Sequence, residues 1–260
     1  MVKETTYQEY VEDLDLYRKY SKYQQRYADK IRESDRYLIE IIKEIVSEEG
    51  NSAISLLDIG CSTGNLLFHI KNALPTLRLT GGDGMAPVIE ECRKDPRLVG
   101  IDFQKMDILE IPGKASFDII VGNAVTYLLD ASEYDASIES VGRSLTDGGS
   151  YVGFEWMHPF KCDLKIVETS RSHPQGLTIY VRPYSAVEAA LTKHGFGDIE
   201  FRPFQIGIDL PLDYTFGDNE DGFEDLNSYT VKTAEGERLL FRGPLFQPWC
   251  FVIARKKYSK

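Results

Sequence analysis

No stretch of this 260-residue chain approaches the roughly 20 consecutive apolar residues that cross a bilayer, so no membrane association is expected. Cysteine is sparse. Cys61, Cys92, Cys162 and Cys250 lie far apart and form no C-x-x-C pair, which argues against a zinc knuckle or a redox dithiol. Reduced thiols are the simplest reading, and no metal site is expected. Positive charge is in deficit: 30 Lys and Arg stand against 41 Asp and Glu, a formal net charge of −11. Binding to duplex nucleic acid draws on basic surface that releases phosphate counterions, so the balance argues against nucleic acid as a partner and favours a small or neutral substrate. The opening MVKETTYQEYVEDLD is polar and acidic, unlike a signal or transit peptide, and a cytoplasmic location is expected. Internal repeats and low-complexity tracts are absent.

What is present is an alternation. Residues 5–48 carry helical spacing, first in a stripe through Leu16, Tyr20, Tyr23, Tyr27 and Ile31, then through Leu38, Ile41, Ile42 and Ile45. From residue 54, short apolar runs (ISLLDI, LRLTGGD, IDFQKM, FDIIVG, SYVGFEW) alternate with helical segments. Strand, helix and strand at this spacing imply crossover units, hence an α/β chain with a doubly wound, mostly parallel sheet. The boundaries read as an N-terminal helical cap (1–50), a core (51–160), an insertion (161–183), a continuation of the core (184–207), an acidic loop with a hairpin lid (208–248), and a final strand and tail (249–260). SYTVKT and ERLLF form the expected hairpin, turning at Ala234–Gly236.

One loop carries chemistry. LLDIGCSTGN (56–65) places an acid at the end of a buried-looking strand and then a small-residue turn. In an open parallel sheet such strand ends face the ligand, and a small loop lets backbone N–H groups and the next helix N-terminus approach it closely. Gly60-Cys61-Ser62-Thr63-Gly64 lacks the glycine spacing of a dinucleotide fingerprint and the lysine of a phosphate loop. Asp58 would repel a pyrophosphate, but it suits a ligand bearing an ammonium and a sulfonium. S-adenosylmethionine has both.

Over about 55–155, and more weakly over 184–206, the chain resembles the class I S-adenosylmethionine-dependent methyltransferases. LLDIGCSTGN is similar to that family's first motif, with Ser62 where a middle glycine is usual. Asp83, closing LRLTGGD, matches the acid that holds the ribose hydroxyls; Gly84 and Met85 follow, where a serine is common. MDILEIP (106–112) resembles the adenine-contacting stretch, with Asp107 on the exocyclic amine and Ile108 against the ring. FDIIVGNAVTYLLD (117–130) puts Asn123 beside the methionine moiety, and SLTDGGSYV (144–152) resembles the turn into the fifth strand. The resemblance implies a seven-stranded Rossmann-like sheet. It implies S-adenosyl-L-methionine as cofactor, with S-adenosyl-L-homocysteine as product. The implied cofactor contacts are Asp58, Gly60, Cys61, Ser62, Gly64, Asp83, Gly84, Met85, Asp107, Ile108 and Asn123.

Tyr23 and Tyr27 are expected to cap the cofactor, as N-terminal helices do in the resembled family, although an amphipathic helix packed on the core explains the stripe equally. His158, just past the fifth strand, and Glu155 on the same rim are the candidate general bases. GDNEDGFEDL (217–226) fails as a calcium loop because Gly217 and Ser228 occupy positions that need carboxylates. The expected activity is methyl transfer to an O or N atom of a small polar acceptor, from a monomer or a homodimer. A cofactor-binding module without turnover, and a methyltransferase acting on protein or nucleic acid, are the alternatives.

Overall fold

In the computed structural model, residues 4–49, 53–169, 176–205, 228–232, 238–242 and 248–258 are described. Strand β1 (Ser55–Ile59) lies at the centre of the sheet, buried at every position. Its period-2 alternation sends Leu57 and Ile59 into one apolar cluster and Leu56 into the other, so SLLDI reads as a continuous apolar run because helices cover both faces. Beside it lie β2 (Arg78–Asp83), then β3 (Asp102–Lys105); on its other side are β4 (Phe117–Asn123) and β5 (Leu145–His158), all parallel. The sheet continues through β11 (Trp249–Lys256), antiparallel to both neighbours, to β8 (Phe196–Pro203). The seven-strand order is therefore β3-β2-β1-β4-β5-β11-β8, the expected doubly wound, mostly parallel arrangement.

Helix α3 (Glu33–Glu49) buries Leu38, Ile41, Ile42 and Ile45, and α4 (Asn65–Ala73) buries Leu66, Leu67 and Ile70 on the same side of the sheet. Each such side chain contributes roughly 1.5–3 kcal/mol when withdrawn from water. Helix α5 (Ala86–Lys94) joins that side through Val88 and Ile89, while α6 (Ala131–Ser144) and α7 (Tyr184–Lys193) cover the opposite face. The switch in strand order falls between β1 and β4, so ligand-facing loops gather at the carboxyl ends of β1, β2 and β4.

Three segments depart from, or refine, the expectation. The N-terminal helical segment is broken before its stripe begins. Asp13 ends α1 (Tyr7–Glu12), and its carboxylate accepts the N–H groups of Asp15 and Leu16 to start α2 (Leu14–Gln24). A 3₁₀ turn (Gln25–Tyr27) then closes it. The segment 161–183 contains a hairpin, β6 (Leu164–Glu168) against β7 (Leu177–Pro183), and β7 extends the sheet by pairing with the end of β5. The expected second hairpin is β9 (Ser228–Lys232) with β10 (Arg238–Arg242), in a separate unit covering 205–247. The acidic tract 209–225 and the Ala234–Gly236 turn lie outside the described residues.

Candidate functional site

The carboxyl end of β1 opens into a loop whose backbone is left-handed at three of five positions: Gly60 (φ +78°), Ser62 (φ +48°) and Gly64 (φ +70°). Glycine is required at the first and last for space as well as conformation. A Cβ on Gly60 would lie 2.4 Å from a Val125 methyl, and one on Gly64 would lie 2.6 Å from Leu98. The loop is pinned to β2 by the N–H groups of Gly60 and Cys61, which donate to the Gly82 carbonyl at 2.7 and 3.0 Å. Helix α4 then begins at Gly64 with no side-chain cap, so its N-terminal N–H groups remain available to a ligand.

Asp83 at the end of β2 accepts the N–H of Ser62 (3.0 Å) on one oxygen and that of Met85 (3.0 Å) on the other. This bond stabilises Ser62 in a conformation that disfavours any residue with a Cβ. The Asp107 carboxylate, past β3, accepts from the Tyr7 hydroxyl (3.1 Å) and the Leu109 N–H (3.0 Å).

Asp58 is 2% exposed, and its Oδ1 has no hydrogen-bond partner among the described residues. Burial pushes its carboxyl up to about 8, with the charges of Asp35 and Asp83 adding to the shift. It faces a small polar recess that also holds Arg32, Asp35, Cys61 and Asn123. Burial raises Asp35 as well, offset by Arg32 and by Asn123 Nδ2, which donates to Asp35 Oδ1 at 3.2 Å. Arg32 donates to the Gln24 side chain and stacks 4.6 Å over the Tyr27 ring, while its buried Nε has no hydrogen-bond partner among the described residues. One recess thus presents an unmatched carboxylate oxygen and an unmatched guanidinium N–H. That pair is complementary to the ammonium and carboxylate of an α-amino acid.

Gly60, Ser62 and Asn123 are shared between this recess and a larger cavity. Asp83, Gly84, Met85 and Ile108 line the larger cavity on the side toward β2 and β3. Tyr7, Tyr10 and Tyr17 line it from the N-terminal helices, and Val125, Tyr127 and Leu128 from the segment after β4.

The expected contacts Asp58, Gly60, Cys61, Ser62, Asp83, Gly84, Met85, Ile108 and Asn123 therefore converge on two adjoining spaces. Gly64 starts α4 beside them. Tyr23 and Tyr27 line neither space: Tyr23 is 45% exposed and pairs with Tyr27 at 5.5 Å between ring centres. Tyr17 and Tyr23 share α2 but lie about 120° apart around it, and Tyr17 takes the inward position there while Tyr7 and Tyr10 take it from α1. Glu155 is not available as a base, because both carboxylate oxygens accept backbone N–H groups from Val125, Thr126 and Tyr127. His158 is 1% exposed, lines neither space, and accepts the Phe160 N–H on Nδ1 at 3.2 Å; burial lowers its basicity. Arg32 and Asp35 escaped the sequence reading. The only signal for them was the charge of two residues in an otherwise amphipathic segment.

Residues 56–149 match the family model described as a methyltransferase domain. Over 115 residues the chain is 27% identical to a carboxy-S-adenosyl-L-methionine synthase of Nitratiruptor, covering 43% of this chain and 48% of that protein. Over 99 residues it is 27% identical to a malonyl-[acyl-carrier protein] O-methyltransferase of Bacillus cereus, covering 38% of this chain and 36% of that one. The chain thus spans half or less of the length of these curated relatives. In fold it is similar to the crystal structure of a SAM-dependent methyltransferase from Methanosarcina mazei (TM-score 0.55, 16% identity, covering 83% of this chain and 98% of the other). The sheet order, the glycine loop at the β1 end and the matched domain agree: residues 56–149 match a methyltransferase domain, within a chain whose fold is similar to that of a SAM-dependent methyltransferase.

Proposed function

We propose that this protein transfers a methyl group from S-adenosyl-L-methionine to an O or N atom of a small polar acceptor. The observation that carries the reading is the pair of buried polar atoms without hydrogen-bond partners among the described residues, Asp58 Oδ1 and Arg32 Nε, in a recess beside the glycine loop that adjoins the cavity of aromatic and aliphatic residues. An α-amino acid joined to an adenosine meets both spaces at once. The cofactor supplies a methyl group already activated by its sulfonium, so the chain's own task is placement. Asp58 and Arg32 hold the amino-acid end, Asp83 the ribose, and Ile108 and Met85 the base. Asn123, Val125 and Tyr127 form the wall beside the methionine end of the donor. Holding two reactants in line lowers a barrier by about 7–11 kcal/mol without a general base. This is consistent with Glu155 and His158 both lying off the cavity.

The two curated relatives are named for different activities, so they support the choice of donor and leave the acceptor to experiment. Thermal unfolding with S-adenosyl-L-homocysteine, with NAD as control, tests the cofactor. Ligand at 100 times its Kd stabilises by about 2.7 kcal/mol. At about 2–4 °C per kcal/mol, that raises Tm by roughly 5–10 °C. A shift with NAD alone refutes the reading. Loss of methyl from labelled donor into a panel of hydroxyl and amine acceptors then tests transfer, and binding without turnover on any acceptor marks a cofactor-binding module instead.

A further inference from the structure

Two buried charged side chains behind the cavity converge on one short stretch of its wall. Residues 124–130 leave the end of β4, make one 3₁₀ turn (Thr126–Leu128), and enter α6 through its Asp130 cap. The stretch starts at Ala124 in the left-handed region (φ +59°), and successive N–H groups of the turn are left without helical partners. Glu155, on β5, takes three of them: Oε1 accepts from Val125 (3.1 Å) and Thr126 (2.9 Å), and Oε2 from Tyr127 (2.9 Å). Arg182, on β7, takes the opposite polarity. Its Nη1 donates to the Thr126 carbonyl (3.1 Å), and its Nη2 to the carbonyls of Leu129 and Asp130. The guanidinium is held 4.2 Å from the centre of the Tyr134 ring. Glu155 and Arg182 are 4% and 8% exposed, so neither is a surface charge.

What they grip faces the cavity. Val125, Tyr127 and Leu128 line it, and the Val125 methyl fills the space that a Gly60 side chain would need. Neutral groups would cap such a turn at lower desolvation cost. Opposed full charges grip the N–H and C=O sides of one stretch more firmly.

We infer that Glu155 and Arg182 are positioning residues whose opposed charges set Val125 and Tyr127 against the cofactor, so that cofactor affinity depends on the grip although neither side chain lines the cavity. This rests on the cofactor reading above. Burial raises the Glu155 carboxyl to about 7, against the three N–H bonds that pull it down. The groups facing it are Arg182 and the buried hydroxyls of Tyr134 and Tyr151. A protonated Glu155 turns one acceptor oxygen into a donor facing an N–H, and the grip loosens below about pH 7.

Tyr127 makes this measurable. Its ring centre lies 6.4 Å from that of Trp156 and 6.0 Å from that of Trp249, the chain's two tryptophans, so intrinsic fluorescence reads its placement. The ligand-free protein is expected to show an emission change centred near pH 7 that Glu155→Gln abolishes. At pH 8.5, with Asp58 ionised, Glu155→Gln is expected to bind S-adenosyl-L-homocysteine about tenfold more weakly by calorimetry, with an unchanged circular dichroism spectrum. Arg182→Lys, which keeps the charge but offers a single donor head, is expected to lose about threefold, and it carries the test if Glu155→Gln does not fold. Wild-type protein that fails to bind the ligand overturns the cofactor reading itself. Wild type that binds, with both variants binding equally well and Glu155→Gln keeping the pH transition, overturns the positioning role alone.

Discussion

Asp58→Asn is expected to make the ligand-free protein more stable and the cofactor site weaker. The wild-type carboxyl is 2% exposed and pushed up to about 8 by burial, then by Asp35 and Asp83. In the unfolded chain it titrates at its ordinary value near 3.8. The folded state therefore holds a proton that the unfolded state has lost. Stability attributable to this group is full below pH 3.8 and declines as pH rises toward about 8, at about 1.4 kcal/mol per pH unit. At pH 7 the deficit is on the order of 4 kcal/mol. Asparagine removes the charge at nearly constant shape. Its Tm should exceed wild type by several degrees at pH 7–8, and the two curves should converge as pH falls toward 4. Binding runs the other way. The ligand ammonium stabilises ionised Asp58, so wild-type affinity for S-adenosyl-L-homocysteine should rise by up to tenfold per pH unit from 6 to 8 and then level off. Asp58→Asn loses a charge-assisted hydrogen bond worth about 1.5–3 kcal/mol, or roughly 10- to 150-fold in Kd. Differential scanning calorimetry across pH 4–8.5 and titration calorimetry at pH 6, 7 and 8 supply both curves. A variant that is less stable at pH 8 yet binds as tightly as wild type would refute the reasoning.

Arg32→Gln should weaken S-adenosyl-L-homocysteine at least tenfold and leave 5′-methylthioadenosine, which lacks the amino-acid carboxylate, within twofold; equal losses in a competition assay would show that Arg32 does not read that end. Ser62→Gly should keep or raise stability by up to about 1 kcal/mol, because Ser62 sits at φ +48°, whereas Ser62→Val should lower it; urea midpoints decide. Tyr7→Phe removes the hydroxyl that donates to Asp107 and should cost about 1 kcal/mol, seen as earlier chymotryptic cleavage near the N-terminus; unchanged cleavage would mean that the bond does not hold α1 in place.

The chain by itself determined the layered α/β fold, because SLLDI and its successors are short continuous apolar runs, as strands buried on both faces require, set between helical segments. It also determined the strand-end residues Asp58, Gly60, Ser62 and Asp83, since their roles depend on backbone conformation and on neighbours a few positions away. The inward-facing tyrosines were another matter. Helical spacing pointed to Tyr23 and Tyr27, but Tyr17 is the α2 tyrosine that lines the cavity, joined by Tyr7 and Tyr10 from α1. Periodicity names the stripes of a helix and has no access to which of them faces the cavity, because packing against the rest of the fold sets that. Glu155 and His158 lie on the predicted rim, yet only the tertiary structure decides what a rim residue faces. There the carboxylate meets three N–H groups of a turn 28 to 30 residues earlier in the chain. Arg32 and Asp58 line one recess for the same reason: which side chains share a space is set by distance in space, and the sequence records only distance along the chain.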